Sequence, residues 1–472
     1  MHRAPNRARW AIATCAAAVM LAGCTDWKNE LLQPQNPGIV DQSAAGSPAA
    51  AAALKVGAMG ALKRVYADPA PTGFAGSSIW EASGLMSDEF MNSDFQNSQN
   101  DVDARTMSPD NTVSDYSRLT QARGYIKDAI AAEEQYEPQK TADIGELYMA
   151  LGFVEMTLAE NFCNGIPLGS NDKGVVDYSG PDFKPFTNAE VYDIARAHID
   201  SALTILGSAT DVSSIFVRNA STIIKARIMV DKGGQLAQAA ALVTAIPTAY
   251  QYLFITQASS NGDDSGFWTL NNSISRMSVG DSTVTYLGKT VRTLNVIPFA
   301  SLNDPRVPIL KGTDAKLSSE DGSTPLFIQQ IYKGRDDPVP MVSGLDARLI
   351  EAEAKLSGGD YAGMTTILNA LRAAPPKIGN FQPATMAALG VPATKDAAID
   401  LFFRENALWQ FARGQRLSDL RRLVRQYGRS QDKVFPAGDH YKGGTYGSDT
   451  SFPVPDAERI NPQFTGCLDR NA

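Results

Sequence analysis

Ile144, Leu147, Tyr148, Leu151, Val154 and Leu158 recur mostly at steps of three and four residues, which lays one apolar stripe along a helix. A Gly- and Pro-rich loop from Cys163 to Lys184 follows, and then a second stripe made of Val191, Ile194, Ala195, Ile199, Ala202 and Leu206. Thr187 and Glu190, three apart ahead of that stripe, have the spacing of a capping box and mark the helix start. His198 lies beside the same face and reads as a structural histidine. An earlier helix is expected over residues 48 to 66, where Leu54, Ala58, Ala61, Leu62 and Val65 fall near one side.

Two further stretches resemble each other. Ile224 to Val230 leads into Gly233-Gly234 and Leu236-Ala237, and Ile350 to Leu356 leads into Gly358-Gly359 and Tyr361-Ala362. Each reads as helix, Gly turn, helix: alanines let the second helix approach, and the glycines accept the positive φ of a helix end. Such pairs have the character of tetratricopeptide units, here separated by long insertions that rule out a regular solenoid. Helical pairs are expected over about 143–250 and 343–425. Periodicity fails in two places. Residues 250–340 scatter Gly, Ser, Asn and Asp among Phe267, Trp268, Thr283, Val284, Tyr286, Val291 and Ile297, which suggests loop with short strands, and residues 67–118 form a second irregular block. Ligand contacts are expected in these two blocks, because helix pairs give a rigid scaffold and loops present side chains.

The front of the chain has a different logic. Arg3, Arg7 and Arg9 precede the apolar run Ala11 to Met20, and Leu21-Ala22-Gly23-Cys24 closes it with small residues before a cysteine. This is the pattern of a bacterial lipoprotein signal: residues 1–23 are removed and the Cys24 thiol takes the lipid. Residues 24–50, with Gln33-Pro34-Gln35-Asn36-Pro37-Gly38, read as a tether, and 51–472 as one domain. No later stretch reaches the roughly 20 apolar residues that a membrane-spanning helix needs, so the expected anchor is lipid alone.

Charge and cysteine count narrow the function. Three of the 43 basic residues leave with the signal while all 51 acidic residues stay, and an acidic mature chain argues against nucleic acid. Once Cys15 is removed and Cys24 is lipidated, only Cys163 and Cys467 can pair, and the sequence leaves open whether they meet. With His198 and His440 as the only histidines of the mature chain, no zinc motif is present; no Gly-x-Ser-x-Gly elbow and no phosphate loop is found either. No cofactor, metal or catalytic residue is therefore assigned. Asp88-Glu89 or Asp263-Asp264 could be imagined as glycosidase carboxylates, but adjacency in sequence does not place two acids across a sugar bond.

The tail is the most distinctive stretch. Gly414-Gln415-Arg416-Leu417-Ser418-Asp419-Leu420-Arg421-Arg422 follows a helix bearing Arg404, Glu405 and Trp409, and then come Phe435-Pro436-Ala437-Gly438, Tyr446-Gly447, Phe452-Pro453-Val454-Pro455, Glu458 and Asn461-Pro462. With Leu349 to Ala354, Asn303-Asp304-Pro305-Arg306, Ser87-Asp88-Glu89 and the lipobox, this succession resembles the SusD/RagB family of outer-membrane nutrient-binding lipoproteins along nearly the whole chain. The resemblance implies a mostly α fold with four tetratricopeptide-like pairs, a place on the outer membrane, and a SusC-like TonB-dependent transporter over which the protein acts as a lid. Family members usually carry an acid before the glycine matching Gly414; this chain has Arg413. The residues themselves suggest a structural tail, with Arg416 and Asp419 spaced to pair on a helix.

A glycan binder needs aromatic faces for sugar C–H surfaces and amides or carboxylates for hydroxyls. The loop residues that fit are Trp268, Trp80, Tyr286, Asn92, Asp94 and Asn272. A peptide would suit a similar pocket, and a lid without its own ligand site is the third possibility.

Overall fold

The computed structural model describes residues 46–67, 78–110, 116–169, 177–258 and 264–472. The signal segment, Cys24 and most of the tether lie outside the described residues, as does Asp263. The fold is mostly α-helical. Helix α1 (Pro48–Tyr66) begins at Ser47, whose Oγ accepts from the Ala50 amide at 3.2 Å, and Pro48 occupies the first turn, where its missing N–H is not needed. It packs on α4 (Tyr116–Tyr136), which leans on α5 (Thr141–Asn161).

Helix α5 is buried on almost every side from Met149 onward, because α4, α6 (Asn188–Leu206) and α7 (Val212–Lys232) surround it. Its two inner glycines explain how close α6 comes: a Cβ on Gly145 would stand 2.7 Å from Leu206 and one on Gly152 2.7 Å from Ile199. The capping box forms at the start of α6, where Glu190 Oε2 accepts from the Thr187 amide at 2.8 Å. His198 Nδ1 meets the buried Glu155 Oε2 at 2.6 Å, a structural use of the imidazole.

The two similar stretches fold as hairpins, α7 with α8 (Leu236–Val243) and α9 (Gly344–Ser357) with α10 (Tyr361–Ala373). The turns differ: Gly233 and Gly234 both have positive φ, but after α9 Gly358 stays helical at φ −77° and Gly359 alone turns at +77°. The block 67–118 is less irregular than its composition suggests. It contains α2 (Ile79–Met86) and α3 (Asn97–Asp103), because Ser78 and Glu81 make a capping box that starts α2.

Among the described residues eight short strands form four antiparallel pairs. Strand β1 (Phe90–Asn92) pairs with β3 (Met277–Val279), joining the two loop-rich blocks, while β2 (Gln251–Phe254) pairs with β8 (Val339–Ser343) and β6 (Ile309–Lys311) with β7 (Phe327–Gln329). A hairpin of β4 (Thr283–Tyr286) and β5 (Lys289–Arg292) turns at Leu287 and Gly288, both at positive φ. The last long helices are α11 (Lys395–Trp409) and α12 (Arg416–Arg425). One continuous apolar core runs from Ala58 on α1 to Phe464 in the tail. Among the described residues no helix is long and apolar enough to cross a membrane.

The distinctive tail is held by buried charge. Arg416 does not pair with Asp419: it gives Nε and Nη2 to the two oxygens of Asp88 at 2.6 and 2.9 Å, while Asp419 accepts from Asn406 and Arg422. The departure at Arg413 has a partner as well, since its Nη2 donates to Asp346 Oδ2 at 2.7 Å with both side chains 1% exposed. Arg422 bridges to Glu353 and Arg227 to Glu160, so α5, α7, α9 and α12 meet in one ionic seam. The tail is also covalently fixed, Cys163 being joined to Cys467 by a disulfide across 304 residues.

Candidate ligand site

The end of β1 and the loop after it start the site. Asn92 Nδ2 donates to Asn100 Oδ1 at 2.6 Å and to the Asp94 carbonyl at 3.1 Å, and Asn92 Oδ1 accepts from the Asp94 amide at 3.0 Å. Asp94 Oδ1 accepts from the Phe95 amide, and its Oδ2 lies 3.5 Å from Arg276 Nε. Asn92 and Asp94 are both fully buried, so they shape the loop rather than offer hydrogen bonds to a ligand. What the loop presents is the next residue, Phe95, whose side chain is 63% exposed.

Lys442, far along the tail, closes this loop from the other side. Its Nζ donates to the Asp94 carbonyl at 2.5 Å and pairs with Asp321 Oδ2 at 2.9 Å. The same ammonium stands 5.9 Å from the Tyr286 ring centroid and 6.0 Å from that of Tyr441. Tyr441 is buried, its hydroxyl donating to Asn92 O and Asp103, and burial followed by the nearby Asp103 charge pushes it well above the usual phenol range. Tyr286 is half-buried, its ring edge-on to Tyr441 at the end of β4. Arg276 also faces Glu320 at 3.8 Å, whose side chain is partly exposed.

Three of the sequence-predicted residues, Asn92, Asp94 and Tyr286, therefore gather around Lys442. Trp268 and Asn272 lie on a separate π-helical turn, Trp268–Ser273, tied to β7. Asn272 is engaged on both amide atoms by Gln329, at 3.2 and 3.1 Å. Trp268 is half-buried, with the Arg335 guanidinium 5.4 Å from its ring centroid and Asp264 holding that arginine.

Trp80 is a correction. It sits in α2 rather than in a loop, 3% exposed, between Tyr66 and Phe254 at 5.3 and 5.9 Å. Gly414 presses on it so closely that a Cβ there would fall 1.9 Å from the indole, and with φ +68° that position accepts only glycine without strain. The indole is core.

The carboxylates here are occupied. Asp321 accepts from Ser319, the Ser323 amide, and both the amide and hydroxyl of Thr324. Burial raises its pKa, but these bonds, Thr324 foremost, and Lys442 outweigh it and hold the carboxyl below its ordinary range. Asp88 is consumed by Arg416 and the Ile297 amide, and Glu89 is fully buried. No three-residue set of metal-ligating side chains occurs among the described residues. The arrangement leaves the exposed Phe95 and the half-buried Tyr286 as ring surfaces and Glu320 as a partly exposed charge, the groups a sugar would meet. Phe95 stands in the same short segment as Asn92 and Asp94 and was within reach of sequence reasoning. Arg276, Asp321 and Lys442 carry no such signal, being brought in by long-range pairing.

No family model matches this sequence, and no curated protein is similar to it. Solved structures are. A SusD superfamily protein from Parabacteroides distasonis superposes with a TM-score of 0.60 at 14% identity, over 89% of this chain and 98% of that one. One from Bacteroides fragilis gives 0.59 at 12%, over 89% and 99%. A laminarin-binding SusD-like protein gives 0.57 at 16%, again over 89% and 99%. At such identities the likeness establishes the fold alone, one that this chain shares with those structures.

Proposed function

We propose that this protein is a cell-surface lipoprotein that binds a nutrient glycan and passes it to a TonB-dependent outer-membrane transporter. The observation that carries the reading is the exposed Phe95 beside the polar cluster that Lys442 ties together with Tyr286, on a fold shared with a laminarin-binding protein. Aromatic faces next to fixed charged groups suit sugar rings, which are apolar on their faces and hydroxylated at their edges. Catalysis is not part of the proposal, since Asp321 and Asp88 are fully engaged. The Cys163–Cys467 disulfide supports an oxidising envelope compartment, and the Arg3 to Cys24 segment supports lipid anchoring there.

Calorimetry of the mature soluble chain against laminarin, other oligosaccharides and a peptide panel tests the cargo. Heat with a glycan and none with peptides supports the reading; heat with peptides alone moves the cargo to peptide, and silence with every compound favours a lid whose transporter makes all contacts. The partnership is tested apart from the cargo by isolation from envelopes in mild detergent. Co-purification with a large barrel protein supports it, and recovery of the chain alone contradicts it.

A further inference from the structure

A groove of about 760 Å³ opens between α11, α12 and the segments 294–297 and 428–434, and it shares no residue with the Phe95 site. The floor is apolar, from Ile297, Phe403, Leu420, Leu423 and Val434. The rim is charged. Arg429 is held by Asp400 at 2.9 Å and Asp396 at 3.4 Å, but Arg404 and Lys433 are exposed and make no ion pair among the described residues. Two free cations face one further acid, Asp432, on a chain whose formal net charge is −8, so the groove is locally basic against an acidic background.

The groove is built and braced. Asn295, at φ +61°, donates through Nδ2 to the Asp432 and Phe435 carbonyls at 2.7 and 3.0 Å, and the Leu294 amide donates to Ala437 at 3.0 Å, which pins one wall to the other. The floor does not suit a sugar. Its one aromatic, Phe403, is 3% exposed, edge-on to Phe402 and Tyr427 at 5.3 and 5.0 Å, so no open ring face is left for stacking.

We propose that this groove is a second ligand site that takes a compact apolar carboxylate, with the acid held by Arg404 and Lys433 and the body against the accessible apolar surface of Leu294 and Leu423. A volume of this size fits a small ligand, and a charge-assisted contact to a cation on the rim fixes its direction. Two sources share this chemistry: a free hydrophobic acid and the C-terminus of an apolar peptide. The proposal stands apart from glycan binding at Phe95.

The test uses the whole mature chain, titrated by calorimetry with octanoate, with acetyl-Ala-Leu-Leu bearing a free C-terminus, and with the C-terminal amide of that peptide. At least one acid is expected to bind, the amide to bind about tenfold more weakly or worse, and the Arg404→Ser/Lys433→Ser variant to lose affinity by a similar factor. Both residues are exposed, so the variant is expected to unfold at the wild-type temperature and to keep its glycan affinity. Binding of octanoate alone assigns the site to free acids, and binding of the peptide acid alone assigns it to peptide termini. Absence of heat with both acids, equal affinity for acid and amide, or an unchanged double variant overturns the proposal.

Discussion

Arg416 grips Asp88 with two hydrogen bonds, Nε to Oδ1 at 2.6 Å and Nη2 to Oδ2 at 2.9 Å, across 328 residues of chain. Both side chains are buried, so the pair fastens α12 to the segment leading into β1, and the Phe95 loop hangs from that segment. Lysine cannot reproduce a forked contact. Arg416→Ala leaves Asp88 charged, buried and short of its partner, and is expected to cost about 3 to 5 kcal/mol in chemical denaturation, with Arg416→Lys only partly restoring it. A loss under 1 kcal/mol contradicts the role assigned to this pair.

The disulfide makes a second stability prediction. Cys163 and Cys467 close a long loop, and the Cys163 amide also donates to the Phe452 carbonyl at 2.9 Å, so the tail is docked where it is crosslinked. Replacing both cysteines by serine is expected to lower stability by about 2 to 5 kcal/mol. Equal melting temperatures for wild type and the double variant would remove the crosslink from the account.

Stability should fall as pH rises from about 5 to 8. Glu89 is pushed up to about 8, chiefly by burial and then by Asp88, and Asp419 up to about 7, chiefly by burial. Both carboxyls hold a proton in the folded chain that the unfolded chain has released by about pH 4 to 5, so their contribution is complete in acid and lost as pH passes the folded values. Asp346 works the other way: burial opposes ionisation, but Arg413 and Arg227 outweigh it and hold the carboxyl down, a contribution lost only in strong acid. Glu89→Gln keeps an acceptor for the Ala412 amide and removes one titration. Its melting temperature is expected to vary less between pH 5 and 8 than that of wild type; an unchanged slope contradicts the assignment.

Cys24 lies outside the described residues, and its role is tested directly. Cys24→Ala is expected to abolish lipid labelling and to send the protein to soluble fractions, whereas unchanged labelling refutes the anchor.

The helices were legible because their signals are local. The stripe from Ile144 to Leu158, the Thr187/Glu190 box and the Gly turns after α7 and α9 all depend on spacing within a few residues. The tail pairing was not, because Arg416 and Asp419 have helical spacing yet buried Asp88 competes for the guanidinium from the far end of the chain. Trp80 misled because the composition of block 67–118 hid a capped helix and its contact with Gly414. Around the site, Asn92, Asp94 and Tyr286 were visible as residue types, while the groups that bind them together, Lys442 and Asp321, arrive only through tertiary pairing.

The central claim rests on Phe95 and Tyr286 meeting a sugar, and calorimetry with the best-bound oligosaccharide measures it most directly. Phe95→Ala and Tyr286→Ala are each expected to weaken binding by about 1 to 3 kcal/mol while leaving the melting temperature nearly unchanged. Full wild-type affinity in both variants would contradict the account.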